Sequence, residues 1–235
     1  MTIKPKLLIF KLKNKEKFLL IHLKMTGQLV YKKRNEIVAG GHEESSSNIN
    51  KLSNQHTRLI FIFSERSELF YNDLRRFGYL KVIVTKELDK IIGEYGPEPL
   101  SGEFNFKNLR QVFKNRKATV KAILLNQKLV AGIGNIYADE ILFKARIRPD
   151  RQAGKITDKE IEEVARAAKL IIKKAIKFRG TTFSDYIDSS GKKGNFSQFL
   201  QVYGRTGKKC LRCRGIIKKE KIAGRGTHYC QKCQK

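Results

Sequence analysis

Hydrophobic and polar residues alternate through the first third of the chain. "LLIFKLK" and "KFLLIHLK" flank the polar turn Asn14-Lys15-Glu16, "QLVYK" follows Gly27, and "TRLIFIFS", "ELFYND" and "FGYLKVIV" carry the pattern to about Val84. A period of two, rich in β-branched and aromatic residues, predicts strands with one buried face. Residues 33–55 interrupt it: "GGHEESSSNINKLSN" is rich in Gly, Ser and Asn and predicts a loop. The two prolines of "YGPEPLS" (95–101) mark a domain boundary. Beyond them the period lengthens. "FKNLRQVFK" and "ATVKAILLNQ" predict short helices. Thr157 and Glu160 form a capping box, and Ile161, Val164, Ala165, Ala168, Ile171, Ile172, Ala175 and Ile176 recur behind it, so a long amphipathic helix ends before Gly180. Residues 181–197 form a second polar loop. The order is sheet, helix, ribbon.

Charge narrows the partners. Of 235 residues, 50 are Lys or Arg against 22 Asp or Glu, a net +28 with a pI near 10.1. That excess favours a polyanion, and nucleic acid comes first. An anionic membrane comes second, without an amphipathic basic helix or long apolar run to support it. The opening residues lack a signal-peptide pattern, so a cytoplasmic, reducing setting is expected, where clustered cysteines suggest metal before disulfide.

All four cysteines lie in the tail, as Cys210-x2-Cys213-x16-Cys230-x2-Cys233. Two knuckles offering two thiolates each satisfy tetrahedral zinc with no open position, so one structural Zn2+ is expected and His228 is left out. Between the knuckles a hairpin is expected, its turn at Gly224-Arg225-Gly226. Arg225 at the tip suits bidentate phosphate binding. In "KLVAGIGNIYADEILFKARIRP" (128–149), Gly132 and Gly134 precede a helix beginning near Asn135. Such a start binds phosphate well. Equally, it is an ordinary helix start with Ile136, Ile141, Leu142 and Phe143 as core.

The whole stretch resembles the helix–two-turns–helix of the formamidopyrimidine-DNA glycosylase family, bacterial enzymes that excise oxidised purines. "HLKMTGQL" (22–29), "NDLRRFGYL" (72–80), "GPEPLS" (96–101) and "QVYGRTGKKCLRC…GRGTHYCQKCQK" (201–235) resemble, in the family's order, its methionine-bearing loop, its arginine–phenylalanine loop, its interdomain linker and its zinc finger. The resemblance implies an α+β fold: an antiparallel β-sandwich over 1–97, incomplete at its N-terminus, a helix–two-turns–helix domain over 102–197 and a zinc-finger hairpin over 198–235. It implies DNA contacts by Met25, Arg75, Phe77, Lys121, Asn135 and Arg225, with Lys6 as a supporting lysine that reaches phosphate. Met25, Arg75 and Phe77 would fill the gap left by an extruded nucleotide; Met25 and Phe77 would otherwise read as core. Tyr203 would buttress the ribbon, and loop 181–197 would close over the flipped base.

The family's nucleophile is an N-terminal proline, followed by a glutamate, that forms a Schiff base at C1′ and gives base release with β,δ-elimination. An α-amine suits the task because it titrates near ~7.7–8.0. That pair is absent from this sequence, which opens "MTIKPKLLIF". The activity of the chain as written is therefore in question, and Leu8, Phe10 and Leu20 are expected to be exposed. Two readings stay open. One is a base-excision glycosylase and abasic-site lyase for oxidised purines, formamidopyrimidine and 8-oxoguanine, whose N-terminal segment is missing from this sequence. The other is a non-catalytic damaged-DNA-binding or other nucleic-acid-binding zinc protein. Expected partners are duplex DNA with oxidised purines or abasic sites, met by a monomer away from membranes.

Overall fold

A computed structural model describes residues 2–4, 7–13, 16–34, 36–39, 41–42, 52–181, 186–187 and 194–235. It divides into two compact units, Met1–Lys90 with Phe178–Ser197 and Ile91–Lys177 with Gln198–Lys235. Among the described residues no helix is long and apolar enough to cross a membrane.

The first unit holds two antiparallel sheets. One orders β1 (Thr2–Lys4), β2 (Leu7–Lys11), β3 (Lys17–His22) and β9 (Tyr79–Val84) side by side. The other orders β5 (Glu36–Ala39), β4 (Gly27–Lys33), β8 (Glu68–Asp73) and β7 (Thr57–Ile62). Pairing Ile9 with Leu20 and Val30 with Phe70 brings apolar residues of neighbouring strands together, and all four are buried. The expected exposure of Leu8, Phe10 and Leu20 is corrected: Leu20 is fully buried, and Leu8 and Phe10 are half-buried. Within the strands, exposed apolar residues lie instead on the sheet edges, among them Leu59, Ile60 and Ile62 on β7 and Val82 and Val84 on β9. The interval 33–55 also holds more order than its composition suggests, since β5 pairs with β4, while residues 43–51 lie outside the described residues. Of loop 181–197, residues 182–185 and 188–193 lie outside the described residues; β10 (Tyr186–Ile187) pairs with β6 (Gly41–His42). This pairing ties 178–197 to the unit of the sheets rather than to the helices that the segment was expected to join, and Asn195 N–H donating to the Phe178 carbonyl (2.9 Å) closes the segment on itself.

Helix α1 (Thr85–Gly93) follows β9 directly, runs across the boundary between the units at Lys90 and buries only Leu88, so no apolar stripe announces it. The second unit is helical. Asn105 caps α2 (Phe106–Phe113) and Thr119 caps α3 (Val120–Leu125) through their side-chain oxygens. Helix α4 (Asn135–Lys144) is buried on several sides, including Ala138, Asp139, Glu140, Ile141, Leu142 and Phe143. Helix α5 (Asp158–Lys177) starts on the capping box: Thr157 N–H donates to Glu160 (2.8 Å) and Glu160 N–H to Thr157 Oγ1 (3.3 Å). The hairpin β11 (Ile217–Ile222) and β12 (Arg225–Cys230) belongs to this same unit, with Val202, Cys210, Ile217 and Cys230 packed on Phe143.

The hairpin turn is corrected. Ile222 pairs directly with Arg225, so the loop is Ala223-Gly224, and Arg225 is the first strand residue rather than the tip. Both loop residues have positive φ, 52° and 71°, as a two-residue turn of the I′ type demands to match strand twist. Ala223 is strained there, because its Cβ crowds the following carbonyl. Ala223→Asn should therefore raise the stability of the zinc-loaded chain by about 0.5–1 kcal/mol. Thermal melting would show it as an upward shift of a few degrees; an unchanged or lower Tm would contradict the turn assignment.

Candidate nucleic-acid interface

In the first unit the turn between β3 and β4 carries Met25, and the loop between β8 and β9 carries Arg75 and Phe77. Met25 is 57% exposed and Phe77 55%, a large apolar outlay to leave in water. The Arg75 guanidinium lies 4.7 Å from the Phe77 ring centroid, a cation–π pair that holds both side chains together. The turn is specific: Lys24 has φ 46°, and Gly27 N–H donates to the Leu23 carbonyl (2.8 Å), where a Cβ on Gly27 would stand 2.5 Å from that oxygen. The two loops are tied together, since Arg75 N–H donates to Thr26 Oγ1 (3.0 Å).

In the second unit the groups expected at phosphates gather around the start of α4. Gly132 sits at φ 84°, and Gly134 begins the helix without a side-chain cap. Gln127 shapes this glycine loop, accepting from Gly132 N–H (2.8 Å) and donating through Nε2 to the Ile133 carbonyl (3.0 Å). Asn135 Nδ2 donates to the Gly226 carbonyl (3.1 Å), next to exposed Arg225 on the hairpin. One hydrogen bond uses one of the two amide hydrogens, and the other suits an acceptor.

Lys121 is corrected. It is not a surface cation but fully buried, its ammonium donating to Asp139 Oδ1 (2.6 Å) and Thr227 Oγ1 (2.7 Å). No part of it is open to a phosphate. Burial pulls its pKa down against the Asp139 carboxylate, and the Arg225 charge pushes the same way. Asp139 Oδ2 accepts from His228 N–H (2.7 Å) and lies 3.3 Å from His228 Nδ1. Tyr203 lies against the His228 ring at 4.6 Å between centroids, the buttress expected of it. Lys121 thus supports Asn135 and Arg225 from beneath. Lys6 lies outside the described residues.

Glu140, which the sequence reading passed over, is also buried. It accepts backbone N–H bonds from Gln201 (2.9 Å), Val202 (2.9 Å) and Tyr203 (2.9 Å), pinning the approach to the zinc segment onto α4. Burial pushes its pKa up against those three amides. An acid in a helix reads as solvated surface, and no signal in the sequence marks it otherwise.

The four cysteine sulfurs lie within 4.8 Å of one another, with Cys210 to Cys233 at 3.8 Å and Cys213 to Cys230 at 3.5 Å. Tetrahedral zinc with Zn–S near 2.3 Å has sulfur–sulfur edges of about 3.8 Å, so the thiolate set fits one structural ion.

Three family models match along the chain. The formamidopyrimidine-DNA glycosylase N-terminal domain matches residues 2–80, the H2TH domain of those glycosylases residues 95–186, and a zinc finger found in FPG and IleRS residues 207–235. The formamidopyrimidine-DNA glycosylase of Prochlorococcus marinus subsp. pastoris is 41% identical over 223 residues, 92% of this chain and 70% of that protein. That of Pelotomaculum thermopropionicum is 41% identical over 219 residues, 92% of this chain and 74% of that protein. A solved complex of Lactococcus lactis Fpg with DNA containing an abasic site has a TM-score of 0.83 at 33% identity, covering all of this chain and 80% of that one. The L. lactis complex with DNA containing Fapy-dG has a TM-score of 0.82 at 33% identity with the same coverage.

The buried pair gives a test. Lys121→Met leaves the Asp139 carboxylate buried without its cation and should cost about 3–5 kcal/mol. Lys121→Met with Asp139→Asn removes both charges while keeping an acceptor for His228 N–H, and should recover a substantial part of that loss. Denaturant midpoints measure both; a double variant as unstable as the sum of the singles would refute the pairing.

Proposed function

This chain belongs to the formamidopyrimidine-DNA glycosylase family, and we propose that it acts in base-excision repair, recognising oxidised purines and abasic sites in duplex DNA as a monomer of the bacterial cytoplasm. The observation that carries the reading is the exposed wedge of Met25, Arg75 and Phe77. Extruding a damaged nucleotide costs stacking and pairing energy, and the vacancy must be filled. A thioether and an aromatic ring replace the lost stacking, while the Arg75 guanidinium can hydrogen-bond the base left without a partner. Asn135, Arg225 and the amides at the start of α4 supply phosphate contacts. Contacts of this kind set register and affinity and carry no sequence information. The loop 181–197 closing over the flipped purine is part of the same proposal.

The structural zinc is held by Cys210, Cys213, Cys230 and Cys233. When bound it ties the two knuckles together and fixes the base of the hairpin, and it leaves no position for substrate. This chain's own residues then place Arg225 at the start of β12 and the Gly226 carbonyl against Asn135. Base release and strand scission use an amine at the sugar C1′ and an acid that manages protons, the roles of the family's N-terminal proline and glutamate.

Two measurements test the proposal. Affinity for duplex DNA should fall steeply with salt, and Arg225→Ala should weaken binding to every sequence alike, flattening the slope of log K against log salt by about 0.9. Equal affinity at low and high salt would remove the electrostatic reading. Borohydride trapping on an 8-oxoguanine duplex tests the chemistry. The 235 residues alone should give little covalent adduct, whereas the same chain preceded by a family segment opening on proline–glutamate should be trapped efficiently. Failure of the extended chain would undo the proposal.

A further inference from the structure

We infer that Asp73 is the positioning residue of the wedge, a buried carboxylate that fixes both loops in the stacking-replacement geometry. The inference rests on reading Met25, Arg75 and Phe77 as the groups that refill the emptied stack. Asp73, at the end of β8, is 1% exposed. It accepts from Thr26 Oγ1 (2.5 Å), Arg75 N–H (3.2 Å), Gly78 N–H (2.7 Å) and Tyr71 Oη (3.3 Å). Thr26 follows Met25 directly. Arg75 and Gly78 bracket Phe77. One carboxylate therefore holds the backbone on both sides of the phenylalanine and, through the Thr26 hydroxyl, the residue that follows the methionine. Its own carbonyl is held as well, accepting from Arg58 Nε (3.1 Å).

Three observations make this a device for geometry rather than a charge contact. First, among the described residues every donor to the carboxylate is neutral, so the negative charge is met there by dipoles rather than by an ion pair. Burial pushes the Asp73 pKa up, but the bonds from Thr26, Gly78, Arg75 and Tyr71 outweigh it and hold the group ionised below the usual range. Second, the space around it is full. A Cβ on Gly78 would stand 1.8 Å from Tyr71 Oη and 2.8 Å from the His22 carbonyl, so the loop closes on the carboxylate only with glycine at 78. Third, Arg76, next to Phe77, is held at φ 58°, a conformation that costs energy and persists only where its surroundings impose it. A negative charge beside a surface that meets phosphates works against binding. Its benefit lies in preorganisation: a wedge already fixed loses little entropy when it enters the duplex.

The test uses the 235-residue chain, zinc-loaded, with a duplex carrying a tetrahydrofuran abasic analogue opposite 2-aminopurine and an intact duplex of the same sequence. Wild type should prefer the abasic duplex and change the 2-aminopurine fluorescence as the wedge enters. Asp73→Asn keeps the shape but turns an amide hydrogen toward one pair of donors. It should lower the preference about tenfold, the weight of one charge-assisted hydrogen bond, suppress the fluorescence change, and leave affinity for intact duplex unaltered. Phe77→Ala should likewise lower the preference and suppress the fluorescence change, and the double variant Asp73→Asn/Phe77→Ala should lose less preference than the sum of the two single losses, because Asp73 acts through the wedge that Phe77 belongs to. Should Asp73→Asn fail to fold, Thr26→Val removes the hydroxyl that bridges Asp73 and Arg75 and carries the same expectations. Retained preference and fluorescence in a folded variant, or additive losses in the double, overturn the inference and leave the functional reading intact. A wild type without preference for the abasic duplex brings down the functional reading, and this inference with it.

Discussion

A carboxylate can be buried only if its lone pairs are met, and each unit of this protein is organised around one that is. In the sheets it is Asp73, met by one backbone N–H from each flank of Phe77 and by the hydroxyls of Thr26 and Tyr71. In the helical unit it is Asp139, met by Lys121 and by His228. The constraint is strict because an unmet charge in a low-dielectric interior costs several kcal/mol. Moving any donor away from its carboxylate is therefore steeply uphill, and the loops that supply the donors are held with it. The expected DNA contacts stand on the same segments: Met25, Arg75 and Phe77 on the loops beside Asp73, and Asn135 and Arg225 on α4 and β12, the elements that carry Asp139 and His228.

The two solutions differ in kind. Among the described residues Asp73 is met by neutral donors, so it fixes geometry without cancelling its charge. Asp139 is paired with an ammonium, so the site carries no net charge beneath Asn135 and Arg225. Helix α4 runs through the second arrangement as an axle. Its first turn presents Asn135, its middle turns bury Asp139 and Glu140, and Phe143 packs on Cys210 and Cys230. The zinc hairpin is thus built into the helical unit rather than appended to it. Arg212 reinforces the join, its guanidinium lying 4.3 Å from the Phe143 ring centroid and donating to the Phe143 carbonyl (3.2 Å).

Spacing was what the sequence disclosed best. The four cysteines fall within reach of one ion because two knuckles leave little freedom once a hairpin joins them, and Thr157 with Glu160 caps α5 because a capping box is a local geometry. Met25, Arg75 and Phe77 were legible through resemblance, where hydrophobicity alone would have put two of them in a core. Lys121 was misplaced for a physical reason: with 50 Lys and Arg in the chain, nothing local distinguishes the buried one, and its partners are 18 and 106 residues away in sequence. The hairpin turn was misplaced by glycine. Gly224-Arg225-Gly226 looks like a turn, but strand register set by Ile217 opposite Cys230 moves the loop to Ala223-Gly224. Asp73, Asp139 and Glu140 were silent because an acid in a polar neighbourhood reads as solvated surface.

Charge and selectivity are consequently carried by different atoms. A net +28 attracts any duplex, damaged or not, and counterion release rewards every phosphate contact equally. No further cation could sharpen the choice of a lesion, since the backbone it touches is the same everywhere. Discrimination must come from groups whose energy changes only where a base can leave the stack, and in the proposed reading the exposed side chains of Met25 and Phe77 are of that type. In that reading they gain contact only in a vacancy and meet resistance at an intact step. Their selectivity depends on being rigid, because a floppy methionine or phenylalanine folds back on its own surface and pays the ordering entropy on entry. The polar scaffold under the wedge follows from that requirement. Apolar packing could not serve, as the side chains to be fixed are the ones that must stay in water. Hydrogen bonds to the backbone on either side of them fix the chain without covering the residues.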